Sequence, residues 1–389
     1  MKKDFLTLHL AMLLMLGARP QQTITLGGGK SGVDTLVLKK GQKVKEIFME
    51  ISTSGNPHIL IDNSNRDFEI RPWDENKISV TTAVTYDSTS TEAELWKRAN
   101  IDVSENANLI KIKSGFADIG NQRTIITSGK TVTLTGTPSA GAWPADHPDR
   151  RSERRTLIIR LPKHARLEIE NKFANIYLSG DLADLDLEIN NGRVIGMNVD
   201  TLILRSKYSF CQFRDSKIIH ATLDYGRLLT KDVGYLNIFS NYTTAEFGNV
   251  TKAVLEHSNN DSYEMEKVGD IKCKKDYGDL RIENLTGHLE FEGTNSDIKL
   301  RNIDPSVELI SINNQFADLR LPIKGLRAFV VDFNGKYSTV LADFNKMPMM
   351  DSTGRPVTSN SRFFSRAGDD KDKPAQFRIN CASCRVDFN

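Results

Sequence analysis

From about residue 160 to residue 345, apolar side chains fall into pairs of short alternating runs that return about every 17 residues. In "KKDYGDLRIENL", residues 274–285, Tyr277 is preceded by Ile271 and Cys273 and followed by Leu280 and Ile282. With Tyr277 as position zero, equivalent positions are Phe173, Asn191, Tyr208, Tyr225, Tyr242, Asn260, Asn295, Phe316 and Tyr337. Successive spacings are 18, 17, 17, 17, 18, 17, 18, 21 and 21 residues, and two earlier copies fit at Asn65 and Phe116. Position −6 is Ile, Leu or Val in every copy, from Ile59 and Ile110 to Val331. Position −4 is apolar in every copy but one, where Glu256 stands. Position +3 is apolar or aromatic from Phe68 and Ile119 to Val340. A hydrophobic content of 39% puts about 14 such residues at these 36 places by chance, against 35 found, so the period is a structural repeat.

Alternation at −6/−4 and again at +3/+5 predicts two short strands per unit, each with one buried face. A small residue follows zero in most copies, as in Ala174, Gly192, Ser209, Gly226, Thr243, Gly278, Ser296, Ala317 and Ser338, and reads as a tight bend. Arg66 and Asp261 take that place in two copies. Val199, Val233, Val250, Val268, Leu285 and Ile303 at +8 turn the chain inward again. One unit cannot bury its own apolar face, whereas stacked units share a continuous core. The expected fold class is therefore all-β: a β-solenoid with coils of 17–21 residues, N-terminal edge-covering strands and a C-terminal closing coil. Ten coils at the spacing of paired strands make a rod of roughly 50 Å. An open sandwich of meandering hairpins is the alternative; the steady period favours winding.

The pattern divides the chain. Residues 1–18 read as a signal peptide: Lys2 and Lys3 precede an apolar run from Phe5 to Leu16, and Leu16-Gly17-Ala18 suits cleavage. A frayed N-terminal helix is the other reading. The run is too short to span a bilayer core of about 30 Å, and no cysteine follows it to carry a lipid. Residues 19–57 form a leader with capping strands, "TITL" and "TLVLKK". Residues 58–119 hold the first coils, a strand "KISVTTAV" and a short helix "TEAELWKRA" with Thr91 as N-cap. Residues 120–155, rich in Gly, Pro and charge, read as an irregular insertion. Residues 156–345 form the main solenoid and 346–374 an irregular loop. Residues 375–389 form a terminal coil, with Ser383 at zero, Phe377 and Ile379 before it, and Val386 and Phe388 after it.

Charge and chemistry narrow the function. The net charge of +2, from 52 basic and 50 acidic residues, gives no support for a nucleic-acid partner. No later segment is long enough for an integral membrane span. The seven histidines form no paired-ligand motif, no Gly-x-Ser-x-Gly elbow occurs, and "GGGK" at 27–30 lacks phosphate-loop spacing. The cluster Arg150, Arg151, Arg154 and Arg155 reads as a solvated loop. No catalytic residue, metal or cofactor is expected. Cys381 and Cys384 are a disulfide candidate; free thiols and redox or metal chemistry are the alternatives. Cys211 and Cys273 fall on inward columns. Tyr208, Tyr225 and Tyr242, at zero on consecutive coils, form either a platform for sugar rings or a ladder that stabilises stacked strands. Asp67, Asp118, Asp279, Asp297 and Asp318 recur at +2, and the last three lie on neighbouring coils. They are candidates for a ligand or for Ca²⁺, or else turn residues in solvent, since Arg193 and Arg227 share the column.

"ILIDNSNRDFEIRPWDENKISV" and "LPKHARLEIENKFANIYL" resemble the bacterial putative-adhesin family with β-strand repeats, related to auto-transporter adhesin heads of GIN type. The resemblance covers most of residues 55–345 and rests on the strand–turn–strand pattern and the "LPK" lead-in. It implies an exported β-solenoid of the cell envelope with no established activity. The expected function is a non-enzymatic, exported scaffold that binds an unknown envelope protein or glycan, in the periplasm, at the outer-membrane surface or outside the cell. A structural envelope-assembly protein, or a polysaccharide lyase or hydrolase using Asp279, Asp297 and Asp318, are the alternatives.

Overall fold

The computed structural model describes residues 22–26, 34–38, 43–86, 91–106, 108–115, 122–127, 130–135, 157–348, 350, 353–355, 362–369 and 373–389. The proposed signal segment and the Phe116–Ile119 corner, with Asp118, lie outside them. The protein is all-β, with one short helix among the described residues and a sheet of 24 strands. The helix, Glu92–Ala99, begins at Thr91, whose side chain and that of Glu94 cap each other's backbone N–H groups. It ends at Asn100 in the left-handed region, where Asn is tolerated.

Pairing within the large sheet is mostly parallel, and the repeat sets its register. Ser216 pairs with Val233, Ile219 with Leu236 and Leu228 with Ala245, each 17 residues on. Between the Tyr277 and Asn295 repeats the offset is 18, as in Ile271 with Leu289 and Leu280 with Ile298. Parallel neighbours need a crossover of a dozen or more residues, and the remainder of each repeat supplies it. The apolar columns are buried at −6, −4, +3 and +8, from Ile59, Ile61 and Phe68 through Leu236, Ile238 and Val250 to Val331, Phe333 and Val340. Each such Leu, Ile or Phe contributes on the order of 1.5–3 kcal/mol.

Position zero has a backbone identity of its own. Asn65, Phe173, Asn191, Tyr208, Tyr225, Tyr242, Asn260, Tyr277, Asn295, Phe316, Tyr337 and Ser383 all have φ between 50° and 59°. One left-handed residue breaks the in–out alternation. In the Tyr208 repeat, Lys207 and Tyr208 both face solvent, while Ser206 before them and Ser209 after them are buried. The chain thereby changes direction between the two strands of the repeat. The bend therefore sits at zero, not at the small +1 residue. Position +1 is small because it packs beneath the preceding repeat: a Cβ on Gly278 would overlap the Asp261 carbonyl oxygen, and Gly278 itself has φ 106°. Gly278→Ala is expected to lose at least about 2 kcal/mol of stability, read as a lower urea midpoint at unchanged m.

One repeat departs from its predicted register. In the Asn260 repeat the buried residues are Ala253 and Leu255, while Val254 is half-buried and Glu256 exposed. An extra residue lies between Leu255 and the buried Ser258, so Glu256 and His257 both face outward. This is the signature of a β-bulge, and it removes the single polar exception from the −4 column.

The ends also differ from expectation. The C-terminal strand Ala375–Ala382 does not close the stack. It lies between Leu309–Gln315 and Phe329–Asn334, parallel to both. Arg362–Ala367, inside the segment read as an irregular loop, pairs antiparallel with Phe329–Asn334 and covers that end. At the other end Lys43–Ser52 pairs antiparallel with Lys77–Tyr86. Among the described residues, Gln22–Leu26 and Asp34–Leu38 pair only with each other, as do Gln122–Thr127 and Lys130–Thr135 inside the insertion read as irregular.

Candidate functional site

Left-handed corners place their side chains on the surface. Phe173, Tyr208, Tyr225, Tyr242, Tyr277, Phe316 and Tyr337 are each about half-exposed or more, with Tyr337 the most open at 80%. Tyr208 and Tyr225 stack with ring centroids 5.1 Å apart and planes 20° from parallel; Tyr225 and Tyr242 stack at 4.8 Å and 3°. The structure thus brings the three tyrosines into one ladder. Rings stand on both sides of Tyr225, which is still 46% exposed. The ladder offers its edges and phenolic hydroxyls, plus the outer faces of Tyr208 and Tyr242. The Lys207 ammonium stands 5.7 Å from the Tyr208 ring centre.

Beneath these corners runs a buried polar seam at −2 and +1. Asn171 Nδ2 donates to the Ala174 carbonyl at 2.7 Å, and Asn314 Nδ2 to the Ser296 carbonyl at 2.7 Å. These donors satisfy corner carbonyls that would otherwise be buried unpaired. Cys381 and Cys384, at −2 and +1 around Ser383, are joined by a disulfide with Cα atoms 5.8 Å apart. Arg66 is fully buried and donates to Ser114 Oγ at 3.1 Å and to the Ala99 carbonyl.

The seam is most charged at Asp261 and Lys275. Asp261 accepts from Ser240 Oγ and Ser258 Oγ at 2.7 Å, from the Thr243 N–H at 2.7 Å and from the Asn259 N–H at 2.9 Å. Lys275 Nζ donates to the Asp261 carbonyl at 2.6 Å and to Ser258 Oγ at 3.1 Å. Burial lowers the Lys275 ammonium below its ordinary range, although Asp261 opposes the shift. Burial also pushes the Tyr263 phenol up; its hydroxyl lies 2.5 Å from Ser240 Oγ. This cluster is closed from solvent and acts on the fold. The sequence hint was the pair of departures from a small +1 residue, Arg66 and Asp261.

Asp279, Asp297 and Asp318 stand next to one another on successive repeats: Asp279 pairs in register with Asp297, and Asp297 Oδ1 accepts from the Asp318 N–H at 2.9 Å. Cations accompany them. Arg281 Nε is 2.9 Å from Asp279, Lys299 Nζ is 3.6 Å from Asp297, and Arg385 is the register neighbour of Asp318. Among the described residues no group of three or more His, Cys, Asp or Glu is placed to hold a metal ion. Elsewhere Asp270 accepts from the His288 N–H at 2.9 Å and lies 2.8 Å from its Nδ1; the two bonds hold its carboxyl below the usual range. No described helix is long and apolar enough to cross a membrane.

The inward columns directed the sequence reading, and the outward positions −7, −5 and −3 escaped it. On the Tyr208, Tyr225 and Tyr242 repeats these hold Ile203, Ile218, His220, Tyr235 and Phe239. Ile203, Ile218 and Phe239 are exposed; Phe239 stacks on His257 at 4.7 Å. Tabulating −5 and −3 as carefully as −6 and −4 exposes the patch in the sequence.

No protein-family profile matches the chain, and no curated protein does. Three solved structures that resemble it are named putative adhesins. One, from Parabacteroides distasonis, is 11% identical over 71% of this chain and 96% of that one, with a TM-score of 0.40. A second, from Parabacteroides merdae, is 12% identical over 71% and 92%, with a TM-score of 0.34. A third, from Bacteroides fragilis, is 10% identical over 71% and 96%, with a TM-score of 0.28.

Proposed function

We propose that this chain is an exported, non-enzymatic β-solenoid that binds an envelope protein or glycan through its row of corner tyrosines. The observation that carries the reading is an exposed aromatic ladder at backbone corners that disfavour aromatics. A left-handed tyrosine costs on the order of 1–2 kcal/mol relative to ordinary backbone, and Asn or Gly costs less. Asn191, Asn260 and Asn295 hold the same corner without difficulty. Ring stacking returns about 0.5–1.5 kcal/mol per pair, but Tyr277 lies between Asn260 and Asn295 and has no ring at zero on either neighbouring repeat. Side chains that face water at a strained corner are accounted for by a partner. The constant 17–18-residue parallel offset supports winding. The apolar run after Lys2 and Lys3, together with the Cys381–Cys384 disulfide, supports export to an oxidising compartment.

The test is the triple substitution Tyr208→Asn, Tyr225→Asn, Tyr242→Asn, which keeps a residue already used at this corner. Its stability is expected within about 1 kcal/mol of the parent, because lost stacking and relieved backbone strain oppose each other. Its binding to envelope fractions or a glycan array is expected to fall at least tenfold. Unchanged binding by the triple variant removes the tyrosines from the site. No binding by the parent protein removes the function.

A further inference from the structure

Charges along the row of corners are sorted by sign. At −1 and +2, the positions that flank each corner, the four repeats from Phe173 to Tyr225 carry Lys172, Arg193, Lys207 and Arg227 against one acid, Asp224. The Tyr277, Asn295 and Phe316 repeats carry Asp276, Asp279, Asp297 and Asp318 at the same places and no cation. The two halves differ in how far their charge is answered. In the acidic half Arg281 meets Asp279 at 2.9 Å and Lys299 meets Asp297 at 3.6 Å. In the basic half Arg227 meets Glu246, but among the described residues no carboxylate forms an ion pair with Lys172, Arg193 or Lys207, all exposed. Asp224 is occupied by Asn241 Nδ2 at 3.2 Å, and Asp67, one repeat earlier, by the N–H and Nδ2 of Asn175. Glu168, Glu170, Asp186 and Glu188 lie on the first-strand face, where His58 meets Glu168, and Arg205 meets Asp186 and Glu188. At +6, Arg214 and Lys231 are each followed by an aspartate, Asp215 and Asp232. The unanswered positive charge therefore belongs to the corner row.

Spacing narrows the chemistry of the partner. Lys172 pairs in register with Asn190, Asn190 with Lys207 and Lys207 with Asp224; Arg193 pairs with Phe210 and Phe210 with Arg227. The four cations thus stand on four successive rungs, one for about every 4.8 Å of the stack. An extended pyranose chain advances by close to that distance per sugar, so acids on successive sugars reach successive cations. An extended polypeptide presents same-side side chains roughly 7 Å apart and falls out of step with the rungs. The cations are also held ready. The Arg193 guanidinium lies 4.6 Å from the Phe210 ring centre, and the Lys207 ammonium 5.7 Å from that of Tyr208. Packing on a ring leaves the edge of the Arg193 fork open, and that edge accepts a carboxylate by two parallel hydrogen bonds. The edges and hydroxyls of Tyr208 and Tyr225 stand on the same rungs to meet sugar hydroxyls.

We infer that the basic half of the corner row binds an acidic, carboxylate-bearing polysaccharide laid along the stack, a reading that rests on glycan binding at the tyrosine corners and names the class of glycan. The test is calorimetry of the full chain with three probes: an oligogalacturonate, which has a carboxylate on every sugar, neutral dextran, and polyglutamate. The parent is expected to bind the oligogalacturonate at least tenfold more tightly than either of the others, and to lose most of that affinity in 1 M salt, where the Debye length is about 3 Å. Lys172→Gln with Arg193→Gln and Lys207→Gln is expected to weaken binding at least tenfold, with circular dichroism unchanged. Asp279→Asn with Asp297→Asn, in the acidic half, is expected to leave binding unchanged. An equal gain for any removal of negative charge would mean unspecific attraction and overturn the inference. So would oligogalacturonate binding that survives the triple glutamine variant, or is absent from the parent. Polyglutamate bound as tightly as the oligogalacturonate would assign the row to an acidic protein and overturn it as well. Dextran bound as tightly overturns the acidic class alone: the tyrosine corners then stand or fall separately, by whether their asparagine variant loses binding to envelope fractions or the glycan array.

Discussion

Asp261→Ala is expected to lower folding stability by about 3–5 kcal/mol, the loss that follows when one member of a buried charged network is removed. The carboxylate is 1% exposed and accepts two hydroxyl and two backbone hydrogen bonds. Removing it strands those donors in a dry seam and deprives Lys275, 2% exposed, of its balancing charge. Backbone shape is not the cause, because Ala174 and Ala317 occupy the same position in other repeats. The double variant with Lys275→Met is therefore expected to cost less than the sum of the single losses, since methionine removes the charge that needed a partner. Urea titrations of the four proteins at pH 7 measure both quantities. A loss below about 1 kcal/mol for Asp261→Ala would show that the network is not held by its carboxylate.

Alkaline pH is expected to unfold this protein through its interior. Burial pushes the thiols of Cys211 and Cys273 up from 9.0 to about 12. Below pH 9 both folded and unfolded chains hold these protons, and stability does not depend on them. Between pH 9 and 12 the unfolded chain releases them and the folded chain keeps them, so stability falls by about 1.4 kcal/mol per thiol for each pH unit. By pH 12 the loss is on the order of 4 kcal/mol per thiol. Tyr263, also raised by burial, adds a loss of the same sign above pH 10. Lys275 opposes it: its lowered ammonium releases a proton from the folded chain first, so stability rises with pH between its lowered value and 10.5. Urea midpoints at pH 8, 9, 10 and 11 are expected to drop more steeply in the parent than in the Cys211→Val, Cys273→Val variant. Equal slopes would place the alkaline sensitivity elsewhere. Valine approximates the thiol in volume and keeps the columns filled.

Inward positions proved legible because burial acts on every repeat alike. Ile219, Leu236 and Leu289 need only be apolar, and a one-residue slip would move each of them into water. Position zero was legible as a column but not as a conformation. Tyrosine and phenylalanine carry no propensity for left-handed backbone, and only Asn65, Asn191, Asn260 and Asn295 hinted at it. The bulge at Glu256 was misread because a fixed period admits no inserted residue. The ladder at Tyr208, Tyr225 and Tyr242 could be named from spacing, yet the stacking of rings on both sides of Tyr225 could not. That depends on ring planes 3° from parallel, which packing sets.

Outside the Asn260 repeat, sequence alone determined which apolar side chains share the interior, since periodic burial of apolar surface demands periodic residues. Tertiary structure alone decided where the last strand goes. Phe377 and Ile379 fit any open rung equally well, and it is pairing on both edges that places Ala375–Ala382 between Leu309–Gln315 and Phe329–Asn334. Likewise Asp261 and Lys275 lie 14 residues apart on the chain, and neither announces the other. The fold brings them together in a seam that water does not reach, and there each charge requires its neighbours.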